Sequence, residues 1–254
     1  PLSLSLPDQL PQERTEAQLI LKVKAGGRVI SKNEYDVLLA TRAWGQGQTE
    51  ADAYYYLKTD SVAGELLARY GLDATACADL SVISGKSGRL VLSGTVQEED
   101  VPAVRAFAQA GGKVILLAQR ELPAGLLSET EASFKEHRQE IITMNIPESS
   151  VFDGLDVLDT AWFTDERHVP YVAFGRYSVD RFSPDVCVLA ETLEWHGYIN
   201  KPTDYKRFGG TPLFSVRVGD GHILVSALRT DACGFDPVAS RLTGNIIGWD
   251  FDKA

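Results

Sequence analysis

Cysteine is scarce in this chain. Cys77, Cys187 and Cys233 stand at wide, irregular spacing, which builds no disulfide framework and offers no zinc-ligand pattern. The four histidines, His137, His168, His196 and His222, are equally scattered, and no His-Glu-x-x-His occurs, so no metal is expected. Basic residues are outnumbered: 25 Lys and Arg against 35 Asp and Glu give a net charge of −10. That argues against nucleic acid as a partner, because nucleic-acid binding needs clustered positive charge to displace counterions. No apolar run is long enough to span a bilayer, so no membrane partner is expected either. The sequence opens at Pro1 without an initiator Met or the charged and apolar regions of a signal peptide, as an excised piece of a longer chain would. None of these absences fixes a compartment.

Familiar catalytic and cofactor loops are missing as well. Gly85-Lys86-Ser87 is similar to the end of a phosphate loop, but the leading glycine would fall at position 80, which is Leu80. Without that first turn the backbone N–H groups are not aimed at a phosphate, and the stretch reads as a polar turn. There is no Gly-x-Gly-x-x-Gly and no Gly-x-Ser-x-Gly elbow, and no cofactor is expected.

What is present suits a globular protein. At 254 residues, 44% hydrophobic and 24% charged, the chain has enough apolar material for one large domain or two modest ones without covalent staples. Its character changes near Trp44. Before that point Leu2, Leu4 and Leu6 alternate with serines, Ala17 to Val23 and Tyr35 to Ala40 are strand-like, and Gly26-Gly27 marks a turn. A short polar turn is expected around Gln12 to Glu16. Three strands leave edges open. Residues 1–44 therefore read as the remnant of a β-sandwich, and residues 45–254 as an α/β domain.

In that second part Asp60 or Ser61 can cap a helix with Val62, Leu66, Leu67 and Tyr70 on one face, ended by Gly71. Arg89 to Leu92 is a short apolar strand. Glu98, Glu99, Asp100 and Pro102 open a helix whose stripe is Val101, Val104, Phe107 and Ala108, and Gly111-Gly112 stops it. Lys113 to Ala118 is apolar without alternation, as a strand buried on both faces is. This is a strand–helix–strand unit with a right-handed crossover. Further on, Val186 to Ala190 is a strand, Pro212 to Val218 and His222 to Leu228 flank a hairpin turn, and Asp236-Pro237 opens a last helix lined by Val238, Leu242, Ile246 and Trp249. Between Trp162 and Phe208, long loops are expected.

In a doubly wound sheet, ligands and catalytic groups gather at the carboxyl ends of strands. The exit of the strand Lys113 to Ala118 reads Gln119-Arg120-Glu121-Leu122-Pro123. Gln119 stands where a nucleophile would be needed and cannot serve as one. Arg120 and Glu121 read as a solvated pair. Asp165-Glu166-Arg167-His168 is the other charge-dense spot, and adjacent loop residues of that kind usually point apart. Trp162, Trp195, Tyr198, Tyr205 and Phe208 offer flat rings that either stack on sugar or a partner surface, or anchor loops by packing.

Leu19 to Lys22 followed by Gly27-Arg28-Val29-Ile30-Ser31-Lys32-Asn33-Glu34-Tyr35 resembles the closing strands of the immunoglobulin-like domain that follows the catalytic barrel in family 2 glycoside hydrolases. Phe107 to Val114, Ser150 to Leu155, Gly221 to Leu228 and Asp236 to Leu242 resemble a class I glutamine amidotransferase-like domain, similar in architecture to the trimerisation domain of certain β-galactosidases. The resemblance implies a flavodoxin-like three-layer α/β domain with a mainly parallel sheet, preceded by a truncated immunoglobulin-like β-sandwich. The family's catalytic Cys is replaced by Gln119, a degenerate nucleophile elbow, and the two-carboxylate glycosidase barrel is absent from this chain. No catalytic residue is therefore expected. The chain would be an accessory module of a β-galactosidase-like hydrolase, with that enzyme's barrel and preceding β-sandwich as partners, and with a homo-oligomer or carbohydrate as further partners. A carbohydrate-binding module using the loops of residues 162–208 and an independent small-molecule enzyme on a flavodoxin-like fold are the alternatives.

Overall fold

The computed structural model describes residues 9–49, 52–161, 163–194 and 207–250. Leu2, Leu4 and Leu6 lie outside them. The first described unit is a ribbon of two strands, β1 (Arg14–Ala25) and β2 (Arg28–Ala40), paired antiparallel across Gly26-Gly27. The polar turn expected around Gln12 to Glu16 is instead the start of β1. The hairpin end of the ribbon is exposed, with Val23, Val29, Ile30 and Tyr35 open to solvent. At its base, Arg14 pairs with Asp159 at 2.9 Å and ties the ribbon to the body of the protein.

The body is a ten-stranded mixed sheet. Its parallel half holds β3 (Tyr54–Leu57), β4 (Ala74–Cys77), β5 (Arg89–Leu92), β6 (Lys113–Leu116) and β12 (Gly221–Ser226), in the spatial order β4-β3-β5-β6-β12. Counted along the chain these parallel strands lie in the order 2-1-3-4-5, the doubly wound arrangement whose order reverses between β3 and β5. The remaining strands run antiparallel: β11 (Arg207–Val218) pairs with β12, β10 (Val186–Glu194) with β11, and β8 (Thr143–Met144) with β10. A branch of β7 (Ser133–Gln139) and β9 (Ala173–Ser178) joins β11 through Thr211 and Tyr177. The sheet is thus mixed rather than mainly parallel. The stretch between Trp162 and Phe208, expected to be loops apart from a strand at Val186 to Ala190, contributes β9, a β10 that extends that strand to Glu194, and the start of β11. Its aromatic and β-branched residues pair as strands across irregular registers, which blurs the period-two signal.

Helices are few. α1 (Ser61–Arg69), α2 (Val101–Gln109) and α3 (Pro237–Gly248) cover the sheet from two sides. Alternation along the buried strands assigns the faces. Val91, Ile115 and Leu224 meet α1 and α3, while Leu90, Leu92, Val114, Leu116, Ile223 and Val225 meet α2. On α1 the buried stripe is Ala63, Leu66, Leu67 and Tyr70; Val62, expected on that face, is 51% exposed because the helix is phased one residue further on. Ahead of α2, Glu98–Asp100 form a tighter 3-10 turn rather than α-helix. The hairpin between β11 and β12 packs against α2 so closely that a Cβ on Gly221 would collide with the carbonyls of Gly112 and Ala108.

Between β6 and β7 the chain is irregular and held from α2. Arg105 donates to Leu126 O at 2.9 Å and grips Glu129 with both guanidinium arms, at 2.9 and 2.7 Å. That bidentate bond, above all other influences, holds the Glu129 carboxyl below its ordinary value. Its contribution to stability is fully present above the unfolded glutamate value of about 4.3 and is lost as pH falls through the lower folded value. Glu129→Gln is expected to lower stability at pH 7 by about 1–2 kcal/mol and to flatten that acid-side slope, as read from urea midpoints between pH 7 and pH 3. A parallel shift of the wild-type curve would show the pair to be energetically idle.

Candidate functional site

The carboxyl edge of the parallel strands is where this architecture places chemistry. At the reversal between β3 and β5, the chain fills the crevice with its own carboxylate. Asp60, just past β3, caps α1 by accepting from Ala63 N at 3.0 Å. The same carboxylate accepts from the amides of Ser93 and Gly94 beyond β5, at 2.6 and 3.1 Å, and from the Ser93 hydroxyl. A helix N-terminus beside a turn rich in free N–H groups is a natural seat for an anion; here Asp60 is that anion.

Gln119 lies three residues beyond the end of β6 and is 2% exposed. Its amide donates to Ser226 O at 2.8 Å, and its Nε2 donates to Gly94 O at 2.9 Å and Leu117 O at 3.0 Å. The side chain thus ties the exits of β5 and β6 together, and the backbone amide of the same residue adds that of β12. The strained residue of this turn is its neighbour: Ala118 has φ of 51°, a left-handed conformation that a non-glycine residue adopts at a cost. The left-handed backbone conformation of this turn lies at Ala118, one residue before Gln119. Nothing in the side chain of alanine marks it in the sequence, since backbone conformation decides it.

The other sequence candidates are spread apart. Arg120 approaches Glu136 at 3.7 Å and lies over the Phe174 ring at 4.9 Å, so its nearest carboxylate is not Glu121. Asp165 turns inward to a site the sequence did not reveal. Arg229, 1% exposed, donates to the carbonyls of Phe163 and Val169 at 3.2 and 2.7 Å and pairs with Asp165 and Asp231, each at 2.8 Å. Its guanidinium also lies 3.9 Å from the Tyr171 ring centroid. Burial pushes the Asp165 carboxyl up, but the amides of Val169 and Arg167 and the Arg229 guanidinium outweigh it and hold the value low. Asp165 is a structural acceptor here, and His168, at φ 56°, packs on Phe235 instead of on a carboxylate. Burial pushes all three thiols, Cys77, Cys187 and Cys233, above their ordinary value, which disfavours the thiolate that nucleophilic or metal chemistry requires. Among the described residues no group of His, Cys, Asp and Glu has the arrangement to hold a metal ion. Trp162, Trp195, Tyr198 and Tyr205 lie outside the described residues; Phe208 is in β11, where its backbone pairs with Leu193.

Two substitutions test this geometry. Ala118→Gly removes the left-handed penalty and is expected to raise stability by about 0.5–1 kcal/mol, against the usual effect of adding glycine. Asp60→Ala removes the cap and strands the Ser93 and Gly94 amides, at an expected cost of about 2–3 kcal/mol. Chemical denaturation of both variants reads each sign directly, and a destabilised Ala118→Gly protein would deny the strain.

No family model matches the sequence, and no curated protein matches it. Among solved structures, a ThuA-like protein from Bacteroides uniformis ATCC 8492 aligns at TM-score 0.47 and 13% identity, over 76% of this chain and 88% of that one. An exo-β-1,4-mannosidase from Opitutaceae bacterium strain TAV5 aligns at TM-score 0.39 and 14% identity, over 75% of this chain and 32% of the enzyme. A cold-adapted β-galactosidase from Rahnella sp. R3 aligns at TM-score 0.42 and 13% identity, over 78% of this chain and 31% of the enzyme. The structural neighbours thus include glycoside hydrolases at low identity, of whose length this chain spans about a third.

Proposed function

We propose that the chain is a non-catalytic accessory module of a larger, β-galactosidase-like glycoside hydrolase. The observation that carries this reading is the self-filled carboxyl edge: Asp60 occupies the anion seat between β3 and β5, and Gln119 ties three strand exits together. A catalytic or cofactor site needs that space open. The sequence resemblance to the C-terminal part of family 2 hydrolases supplies the context, and the exposed apolar ribbon of β1 and β2 suits the part assigned to an immunoglobulin-like sandwich. In this reading residues 1–44 belong to that sandwich and residues 45–254 brace the catalytic barrel or the assembly of subunits.

The purified chain is expected to release no nitrophenol from aryl β-galactosides or β-mannosides and no ammonia from glutamine. Turnover that co-purifies with the protein through successive columns, and that tracks its concentration, would overturn the reading. Deleting residues 45–254 from the parent enzyme is expected to leave kcat on small aryl glycosides unchanged while lowering its thermal midpoint or its oligomer order.

A further inference from the structure

A hollow of the protein lies away from the carboxyl edge. A cleft of about 1080 Å³ runs between the end of β2 and the face covered by α1 and α3. It opens at the last turn of α1, about 13 Å along that helix from Asp60 at 1.5 Å per residue. One wall is the consecutive run Leu38, Leu39, Ala40, Thr41 and Arg42, and the other includes Arg69, Tyr70 and Phe235. Neighbours in a strand point to opposite faces. A cavity touched by three strand residues in a row, Leu38, Leu39 and Ala40, and by Thr41 and Arg42 beyond the strand, therefore faces the edge of β2 rather than one of its faces.

The hydrogen-bond phase of the ribbon gives this edge its polarity. Thr41 N donates to Glu13 O at 2.8 Å, so Thr41 and Glu13 form a hydrogen-bonded pair. Ala40 opposite Arg14, and Leu38 opposite Glu16, then fall at non-hydrogen-bonded positions. Their N–H and C=O groups point outward along the open edge, into the cleft. Among the described residues no backbone group closes on them. The side chains of Leu38 and Ala40 pack on the core beneath, which fixes the edge in place.

Charge selects among occupants. On a chain of net charge −10, the lining of this cleft includes Arg42 and Arg69 and no Asp or Glu. Among the described residues neither arginine has an ion-pair partner, and both are exposed. Gly234, at φ +87°, makes room for Arg69: a Cβ there would collide with the guanidinium. Phe235, 48% exposed, adds an apolar rim beside it. An open strand edge, an apolar floor and two unopposed guanidiniums match one kind of ligand. We infer that the cleft binds an extended, acidic and apolar peptide segment of a partner protein, which adds to β2 as a third strand. Main-chain bonds to Leu38 and Ala40 would supply affinity, and Arg42 and Arg69 would select carboxylates.

The probe is a fluorescein-labelled hexapeptide alternating valine and glutamate, about 20 Å long when extended at 3.3 Å per residue and so matched to the edge. Fluorescence anisotropy with the whole 254-residue chain is expected to show saturable binding. Replacing the glutamates by lysines, or introducing Arg69→Glu in the protein, is expected to weaken it at least about tenfold, as loss of a charge-assisted contact does. Ala40→Pro removes an outward N–H at an edge position that tolerates proline, and is expected to abolish binding with an unchanged melting curve. Should that variant melt early, a hexapeptide N-methylated along the edge facing β2 takes its place, and loss of its binding is the supporting result. Absence of saturable binding overturns the inference. So does equal binding of the valine–lysine peptide, as does full binding with both main-chain blocks. A cleft filled instead by a second copy of the chain, seen as a dimer whose dissociation is needed before peptide binds and which Arg69→Glu leaves intact, also overturns it.

Discussion

Buried guanidinium groups hold this protein together where secondary structure does not. Among the described residues three α-helices serve a ten-stranded sheet, so long irregular segments must pack against it with carbonyl groups that no helix or ladder satisfies. Arg229 takes the carbonyls of Phe163 and Val169, Arg89 those of Ile247 and Trp249 at the end of α3, and the half-buried Arg241 those of Trp44 and Asp153. Each is a planar fork of five donors that stays charged, so it can span two backbone segments and a carboxylate at once. Arg89 is 0% exposed and is neutralised by Asp52; Arg229 is neutralised by Asp165 and Asp231. Lysine, a single point charge, cannot reproduce that reach.

The same economy governs the carboxyl edge of the sheet. In a doubly wound fold the reversal between neighbouring strands leaves a crevice with free amides and a helix N-terminus, and something negative must answer them. Asp60 answers from within the chain, through Ala63, Ser93 and Gly94. Gln119 then closes the neighbouring gap through Gly94, Leu117 and Ser226. An edge so occupied has its free amides and strand exits joined by the chain's own side chains.

In the parallel half β5, β6 and β12 were legible in the sequence, whereas the four-residue strands β3 and β4 were not. The caps at Asp60 and Asp236 and the glycine stop after α2 are local chemistry, and the uniformly apolar β6 reports burial on both faces. The antiparallel half was legible only at Val186 to Ala190, within β10, and at Pro212 to Val218, within β11. β7 is largely exposed, β8 is two residues long, and β10 carries register shifts, so none shows a clean period of two. At the site, Gln119 could be placed beyond β6 from the pattern alone, but its three bonds across strand exits join residues up to 107 positions apart (119 and 226), which no local signal encodes. Ala118 was invisible for a different reason: strain resides in φ, and alanine is the residue least expected to reveal it. Arg229 looked like one more charge near a chain of acids; only its burial distinguishes it.

Native-state hydrogen exchange at the amides of Ser93 and Gln119 tests the sealed edge most directly. These two donate to Asp60 and to Ser226 O, at 2.6 and 2.8 Å. If the crevice is closed by the protein's own groups, both amides exchange only through global unfolding, with the same free energy as the core strands β5 and β6. Fast exchange of Ser93 and Gln119 while β5 and β6 stay protected would mean that the crevice opens in the native state, and a site held ready for an external ligand would replace the accessory platform.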